Sequence, residues 1–363
     1  MPPHYETVIV ARTPNQNGPP KLEIVDKITA YKNISWADEL VGDNLGSVSA
    51  EYSSIPPTIG ERFIDLTKKP CELWIYREGI LVQGGPILGI QTQGNILTIV
   101  SRGPLYYLNY MFVQEDYVAD KDQYGIFRNL VDQWQNDDYG NFGLKTSNIG
   151  TSGVDRVIEF DKNELRNVRR ELELLAANAD GFDFYVDFST QTLGDSATRD
   201  IVLTRKRGED KSDYIVFDIR NLSDLRIWSS VSKEDVASWV RVLGTTYDHS
   251  HVSTRINEDL MQSMGKIGAV SHIDGVGLQV TNDRYADQMK ELLSNYHIEI
   301  GGQQQGTTVF STANVGPMDF GPGDTVRVTW DAGYGIIDET RVVYKKFVSV
   351  DETGTEKMNV HFR

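Results

Sequence analysis

The stretch from Cys71 to Gly103, CELWIYREGILVQGGPILGIQTQGNILTIVSRG, limits what this chain can become more than any other part of it. Leu73 and Ile75 alternate with Trp74 and Tyr76, Ile80 and Val82 with Leu81 and Gln83, and Ile96, Thr98 and Val100 with Leu97 and Ile99. A period of two sends neighbouring side chains to opposite faces of a strand, so the pattern predicts β-structure. Between the runs stand Glu78-Gly79, Gly84-Gly85-Pro86 and Gln93-Gly94-Asn95. These residues tolerate positive φ or fix a bend, and they predict hairpins or sharp corners between antiparallel strands. Asp324 to Arg363 repeats the grammar: a Gly/Pro/Asp turn, a long strand pair, a turn at Asp351-Glu352-Thr353-Gly354, and a closing strand through Met358, Val360 and Phe362. Two small curved sheets in one chain are expected.

Composition limits what those sheets belong to. A hydrophobic share of 39% with 24% charged residues is that of a folded globular protein, and 363 residues suffice for roughly two to four domains. The start, Met1-Pro2-Pro3-His4-Tyr5-Glu6, has neither a basic segment nor an apolar core. No apolar run approaches the ~18 residues of a membrane span. Synthesis in a cytoplasm and no stable membrane insertion are therefore expected. The single cysteine, Cys71, excludes an intrachain disulfide and a cysteine-based zinc site, and reads as a small core hydrophobe. The net charge of −16 repels phosphates and argues against sequence-specific nucleic-acid binding. The basic clusters Lys68-Lys69, Arg166 with Arg169-Arg170, and Arg205-Lys206-Arg207 are short, flanked by acids, and read as solvated charge. An acidic surface suits letting DNA pass without sticking.

In chain order, Glu6 to Ala11 and Lys21 to Ile28 read as strands around a turn-rich Pro14–Pro20 loop. With the pieces up to Pro56-Pro57 and the stretch from Cys71 they make a first tube-like β-barrel domain over residues 1–105. The period then changes. Ile126, Phe127, Leu130, Val131 and Trp134 recur at helical spacing. Asp161 with Glu164 opens a second helix, whose stripe is Leu165, Val168, Leu172, Leu175 and Ala179 and which Gly181 closes. Phe182 to Phe188 and Ile201 to Thr204 form a strand pair, so residues 106–230 read as an α+β module. Ser238 to Gly244 looks like the first strand of a second tube-like barrel, assigned to residues 231–256 and 308–363. A helix-containing insertion, 257–307, holds a short helix at Leu260, Met261 and Met264 and another from Asp283. The fold class is α+β, mostly β.

Motifs for chemistry fail on inspection. Asp120 to Gly125 begins like a calcium loop, but Val131 stands where a bidentate Glu is required. Gly265-Lys266 lacks the upstream glycine of a phosphate loop and is followed by Ile267, and Gly275-Val276-Gly277 lacks a third glycine. His249 and His251 would face one way on a strand and could share a metal with His272, although a polar surface loop is the simpler reading. No serine has a Gly-x-Ser-x-Gly setting. No enzyme, catalytic residue, metal or cofactor is expected.

The order of pieces does more. Ile80 to Gly84 leads into Ile87 to Ile90 and the closing Ile96 to Val100. The α+β module, Val240 to Gly244, the insertion and Phe320-Gly321-Pro322-Gly323-Asp324-Thr325-Val326-Arg327-Val328 follow before the last strands. This order resembles the baseplate hub proteins of bacteriophage tails, the minor tail proteins of long non-contractile tails in particular. The resemblance implies a structural, virion-borne protein of the tail tip. Two tube-like barrels per chain would form a homotrimer whose six-barrel ring adapts a hexameric tail tube to a threefold tip and lets DNA pass. Its implied partners are tail-tube or distal tail proteins above, a tape-measure protein in the lumen, and other tip or spike proteins below. A second possibility is a receptor- or glycan-binding β-rich tail module using the 6 Trp and 17 Tyr, most of which occupy positions better explained by packing. A third, a cell-wall hydrolase, lacks a catalytic constellation.

Overall fold

The computed structural model describes residues 2–40, 42, 44–54, 70–178, 180–218, 222–225, 237–245, 250–264, 266–273, 308–311, 315–331 and 336–362. The chain opens with β1 (Tyr5–Asn15), β2 (Gly18–Ile28), β3 (Asn33–Glu39) and β4 (Leu45–Glu51). The glycine-punctuated stretch supplies β5 (Cys71–Arg77), β6 (Ile80–Gln93) and β7 (Ile96–Arg102). The β5–β6 turn has Glu78 at φ 50 and Gly79 at φ 76, the left-handed pair that matches strand twist in a two-residue hairpin. The Gly84-Gly85-Pro86 corner is a bend inside one strand rather than a break. β6 pairs with β5 through Pro86 and with β7 from Ile87 onward. A side chain at Gly85 would meet the Arg102 carbonyl oxygen at 2.2 Å, so the crossing needs glycine.

The α+β module follows. Its elements are β8 (Tyr117–Asp122), α1 (Gln123–Gln135), β9 (Leu144–Lys145), β10 (Asp155–Phe160), α2 (Val168–Ala176), β11 (Asp183–Asp187) and β12 (Arg199–Thr204). Asp122, at the head of the rejected calcium loop, is the N-cap of α1 and accepts from Tyr124 and Gly125 N–H. The second helix is shorter than its stripe suggests. Asp161 caps only a 3-10 turn, Leu165 sits in the left-handed region at φ 48 with its side chain exposed, and Asn167 caps α2. Leu165 therefore lies outside the stripe, while Val168, Leu172 and Leu175 are buried with Phe127, Phe182 and Phe184 in the module's own core. The expected strand pair is present, with Phe184 opposite Leu203 and Val186 opposite Ile201.

The remaining elements are β13 (Val216–Phe217), β14 (Leu222–Leu225), β15 (Trp239–Thr245), β16 (Ser250–Ile256), α3 (Glu258–Met264), β17 (Gly268–Ile273), β18 (Thr308–Ser311), β19 (Thr325–Asp331), β20 (Ile336–Asp351) and β21 (Glu356–Phe362). The short helix expected near Met261 is α3, and the helix expected from Asp283 lies outside the described residues. The two glycine-punctuated stretches are not separate sheets. β20 pairs with β3, Lys345 opposite Glu39 through Asp351 opposite Asn33, which joins them in one 13-stranded sheet of order β14-β18-β21-β20-β3-β4-β7-β6-β5-β1-β2 with β13 and β19 attached at β20. The strand expected to open a second barrel, β15, lies instead in its own three-stranded sheet between β16 and β17. Its apolar residues Val240 and Val242 meet Ala237 and Ala269 rather than the large core.

The long sheet folds over on itself at β6. Ile9, Leu73 and Ile75 from one layer meet Ile34, Val48, Ile99, Val348 and Val360 from the other in one apolar cluster, which also takes in Phe217, Phe320 and the buried Cys71. Tyr5 Oη donates to Glu356 Oε1 at 2.6 Å and Arg77 Nε reaches the same oxygen at 2.6 Å, stitching β1 and β5 to β21. The outer side of the β1–β5 layer packs Val8, Val10, Leu22 and Trp74 around Ala197 of the module. Among the described residues the order of layers is thus outer sheet layer, core, inner layer, module. Leu172 has no exposed surface, so Leu172→Ala should lower unfolding free energy by about 2–5 kcal/mol. Denaturant titration measures it, and a loss under about 1 kcal/mol would place the stripe in solvent.

Candidate functional site

The layer built from β18, β21, β20, β3, β4, β7 and the end of β6 turns one face to the core. Its opposite face belongs to none of the apolar clusters of described residues. Register decides what that face carries. One row runs Gly89, Val100, Ser47, Ser35, Ser349, Lys357, and the next runs Gln91, Thr98, Ser49, Asn33, Asp351. Ser35 Oγ and Ser47 Oγ are 2.7 Å apart, and Ser49 Oγ and Thr98 Oγ1 are 2.8 Å apart, so hydroxyls on adjacent strands satisfy one another. A third row, Arg102, Leu45, Ala37, Phe347, Asn359, is more apolar, and Ala37 in it is fully buried. Charges of both signs are interleaved: Glu39 pairs with Lys345, and Glu51 lies 3.3 Å from Lys32. The face offers hydroxyl and amide groups and no block of one sign.

Two buried polar networks lie in the layers behind this face. Glu72 on β5 and Arg199 on β12 are fully buried and joined by two bonds, Nη2 to Oε1 at 2.9 Å and Nη1 to Oε2 at 3.2 Å. Tyr107 Oη donates to Oε1 at 2.8 Å and Trp74 Nε1 to Oε2 at 2.9 Å. Burial pushes the Glu72 carboxyl up, but the guanidinium and these donors outweigh it and hold the group below its ordinary range. This network ties the module to the inner layer.

The second network lies at the β3–β20 seam. Lys346 is buried, donates to the carbonyls of Pro317 and, at 2.7 Å, of Phe320, and sits over the Trp36 and Phe320 rings at 5.4 and 5.3 Å. Its register partner Asp38 accepts instead from Arg207, at 3.1 Å to both oxygens, and Asp324 pairs with Lys211 at 3.0 Å. Burial depresses the Lys346 ammonium to about 8. Asp38 and Asp324 partly offset this, and Arg207 and Lys211 add to it.

The residues singled out in the sequence do not meet at a chemical centre. Arg166 pairs with Glu164 and Glu171, Arg169 with Glu173, and Arg205 with Asp180, so these cations are compensated. Lys68-Lys69 and His249 lie outside the described residues. In the backbone, His251 stands opposite Gly244 and His272 opposite Leu243, on the two strands flanking β15. Among the described residues no group of three or more His, Cys, Asp or Glu is placed to hold a metal ion. Trp36 and Trp74 are core residues, as packing predicts. Strand alternation could have flagged Ser47, Ser49 and Thr98 as one face; their match to Ser35 and Ser349 needs the β3–β20 register, which no local pattern encodes.

No family model matches this sequence, and no curated protein matches it. The fold is nevertheless that of phage tail proteins, as the hub resemblance implied. The chain superposes on the prophage MuSo2 43 kDa tail protein from Shewanella oneidensis with a TM-score of 0.60 at 12% identity, covering 99% of this chain and 98% of that one. The tail protein from Neisseria meningitidis MC58 gives 0.56 at 14% identity, covering 99% and 96%. The prophage tail protein gp18 from Listeria monocytogenes EGD-e gives 0.51 at 10% identity, covering 98% and 94%. The likeness runs the length of both chains in each pair.

Arg199→Met should cost about 3–5 kcal/mol of stability, because it leaves the Glu72 carboxylate buried without its charge partner; denaturant titration would read a negligible loss if Tyr107 and Trp74 alone sufficed. Lys346 yields a pH signature. Above about pH 8 the folded chain releases this proton while an unfolded lysine keeps its own up to its ordinary value of 10.5. Stability should therefore rise from about pH 8 towards 10, by up to about 3 kcal/mol, relative to Lys346→Met. Parallel profiles for the two proteins would show an ordinary, hydrated Lys346.

Proposed function

We propose that this chain is a structural hub of a phage tail tip, forming a trimeric ring that adapts a hexameric tail tube to a threefold tip and lets DNA pass. The observation that carries the proposal is the hydroxyl- and amide-lined face, which joins none of the apolar clusters of the described residues, on a fold shared, end to end, with phage tail proteins. In this proposal the strands of residues 1–105 and β18 to β21, joined through the β3–β20 seam around one shared core, are the two tube-like halves that each chain contributes. Three chains then present six such units, enough to meet a hexameric tube. The shared face lines the passage.

Physical chemistry supports that orientation. A DNA-lining wall must not release counterions by binding phosphates, since each such contact adds salt-dependent affinity and would hold the genome in place. Serine, threonine and glutamine exchange hydrogen bonds with water at little net cost, and the chain's −16 charge keeps the remaining surface repulsive to a polyanion. The role needs no cofactor, metal or catalysis. Its partners are tail-tube proteins above, a tape-measure protein in the lumen and tip proteins below, within the virion.

Mass measurement with electron microscopy of the purified chain should give a threefold ring with a central hole. A compact monomer that binds glycans would favour a receptor-binding module instead. In particles, Ser47→Lys with Ser349→Lys should leave assembly intact and slow DNA ejection several-fold at low salt, with recovery as salt screens the wall. Equal ejection rates at every ionic strength would remove this face from the DNA path.

A further inference from the structure

Arg12, at the junction of sheet and module, has no acidic partner among the described residues, and its Nε is buried without a hydrogen bond. Acids are not in short supply in a chain with 52 of them against 36 lysines and arginines. Arg166, Arg199 and Arg207 each hold a carboxylate. The Arg12 guanidinium lies instead over the Tyr107 ring at 5.2 Å and the Phe142 ring at 4.8 Å, which eases its partial burial and leaves its donors unused. Further rings frame it. Phe142 stacks on Tyr107 at 4.7 Å, Tyr110 tilts towards Phe142 at 6.3 Å, and Tyr106 meets Tyr110 edge-on at 5.6 Å. Tyr110 is 46% exposed. Burial and Tyr106 push its hydroxyl up, and the Arg12 charge pulls against them, so the hydroxyl lies within the field of the guanidinium. The rim is built from the tip of the β1–β2 hairpin and the loop that leads from α1 to Phe142. Tyr139 N–H donates to the Gln16 carbonyl oxygen at 3.1 Å, and Gln16 Nε2 donates to Asp138 at 3.1 Å. Asn15, Gln16, Asn17, Asn136 and Tyr139 are all exposed. Tyr139 is held at φ 61, and a side chain at Gly140 would meet the Trp134 carbonyl oxygen at 2.2 Å, so the loop has one shape.

We propose that Arg12, Tyr110 and Phe142 form a binding site for an acidic saccharide, a sugar that carries a carboxylate. The unpaired guanidinium supplies the fork of donors that a carboxylate accepts. The exposed Tyr110 ring and Phe142 offer a flat apolar surface to the C–H face of a sugar ring, and a few polar groups beside an aromatic wall are what orients a small ligand. The amides of Asn15, Gln16, Asn17 and Asn136 and the Tyr139 hydroxyl both donate and accept, as sugar hydroxyls do. A protein partner fits less well, because this rim is made of amides and loop acids rather than the apolar core of a stable interface. The chain's −16 charge selects against polyanions, whereas one carboxylate meeting one free cation is favoured at short range. The inference does not rest on the ring reading. The site lies on the module side of the inner layer, with the core between it and the hydroxyl-lined face.

The test titrates the full chain by calorimetry with cellobiuronic acid, with cellobiose, which lacks only the carboxylate, and with an end-capped Gly-Glu-Gly peptide, which has the carboxylate without the sugar. The acidic disaccharide is expected to bind at least about tenfold more tightly than either of the others. Arg12→Met and Tyr110→Ala, checked for folding by circular dichroism, should weaken it by about tenfold and several-fold respectively. Arg170→Met, at an exposed arginine of α2, should leave it unchanged. In the wild type, amides within residues 136–142 should exchange on the order of tenfold more slowly when the disaccharide is bound. Cellobiose binding as tightly as the acid overturns the role of Arg12. A peptide that binds as tightly makes this an anchor for an acidic protein segment and overturns the saccharide. Absence of binding by the acidic disaccharide, or full affinity in Arg12→Met, overturns the site. If Arg12→Met fails to fold, the matched ligands and the wild-type exchange decide, since neither needs a variant. Each of these outcomes leaves the hub reading to its own test of assembly.

Discussion

Seven residues at each end of the chain, Asn33–Glu39 and Lys345–Asp351, hold the structure together by pairing side by side. Without that seam the N-terminal and C-terminal sheets would each expose an edge and half a core. With it, Ile34 and Trp36 share one apolar cluster with Val348, Val350 and Val360. Bringing together segments so far apart in sequence costs loop-closure entropy, although that cost grows only slowly with separation. Burial of large side chains on both sides of the seam offsets it.

The seam also carries the strangest polar group in the molecule. Lys346 points to the core side of β20, where a hydrophobe would ordinarily stand, and its partners are two carbonyl oxygens and two aromatic faces. The nearby carboxylates are engaged by Arg207 and Lys211, which arrive from the segment leaving the α+β module. Glycine makes that arrival possible: a side chain on Gly208 would meet backbone atoms of Gly323 at 2.1 Å, and one on Gly323 the Arg207 carbonyl oxygen at 2.1 Å. Module, N-terminal sheet and C-terminal turn therefore converge on one charged knot. Glu72 and Arg199 make a second, drier junction on the far side of the inner layer. Such buried ionic groups add little net stability compared with apolar residues of similar shape, but they penalise any arrangement that leaves one charge alone.

The neutral, hydroxyl-rich face follows from this geometry rather than from a motif. The hydroxyls of Ser35, Ser47, Ser49 and Thr98 belong to three strands, and each is unremarkable in its own sequence. Their significance lies in alignment: strand pairing brings small neutral groups into rows across the sheet. The end-to-end likeness to tail proteins at 12 to 14% identity shows the same point at larger scale. A fold of this kind tolerates nearly complete replacement of side chains while its pattern of alternation and turns persists.

Local chemistry was legible in the sequence. Alternation marked β5 to β7 and β19 to β21, the Glu78-Gly79 hairpin and the Asp351–Gly354 turn were readable from their residue types, and α1 and the core stripe of α2 followed from helical spacing. The α2 start was misplaced because Asp161 is a good cap for whatever follows it, and only the left-handed Leu165 shows that a single 3-10 turn follows. Period, capping and turn chemistry act within a few residues, so they mark which segments become strands or helices and which of their faces are apolar, though not every terminus. Tertiary structure alone decided that two sheets would be one, that β15 would stand apart, and that Glu72 would meet Arg199. Those outcomes depend on which edges and charges find each other across the whole chain, and backbone hydrogen bonds carry no label that names a distant partner.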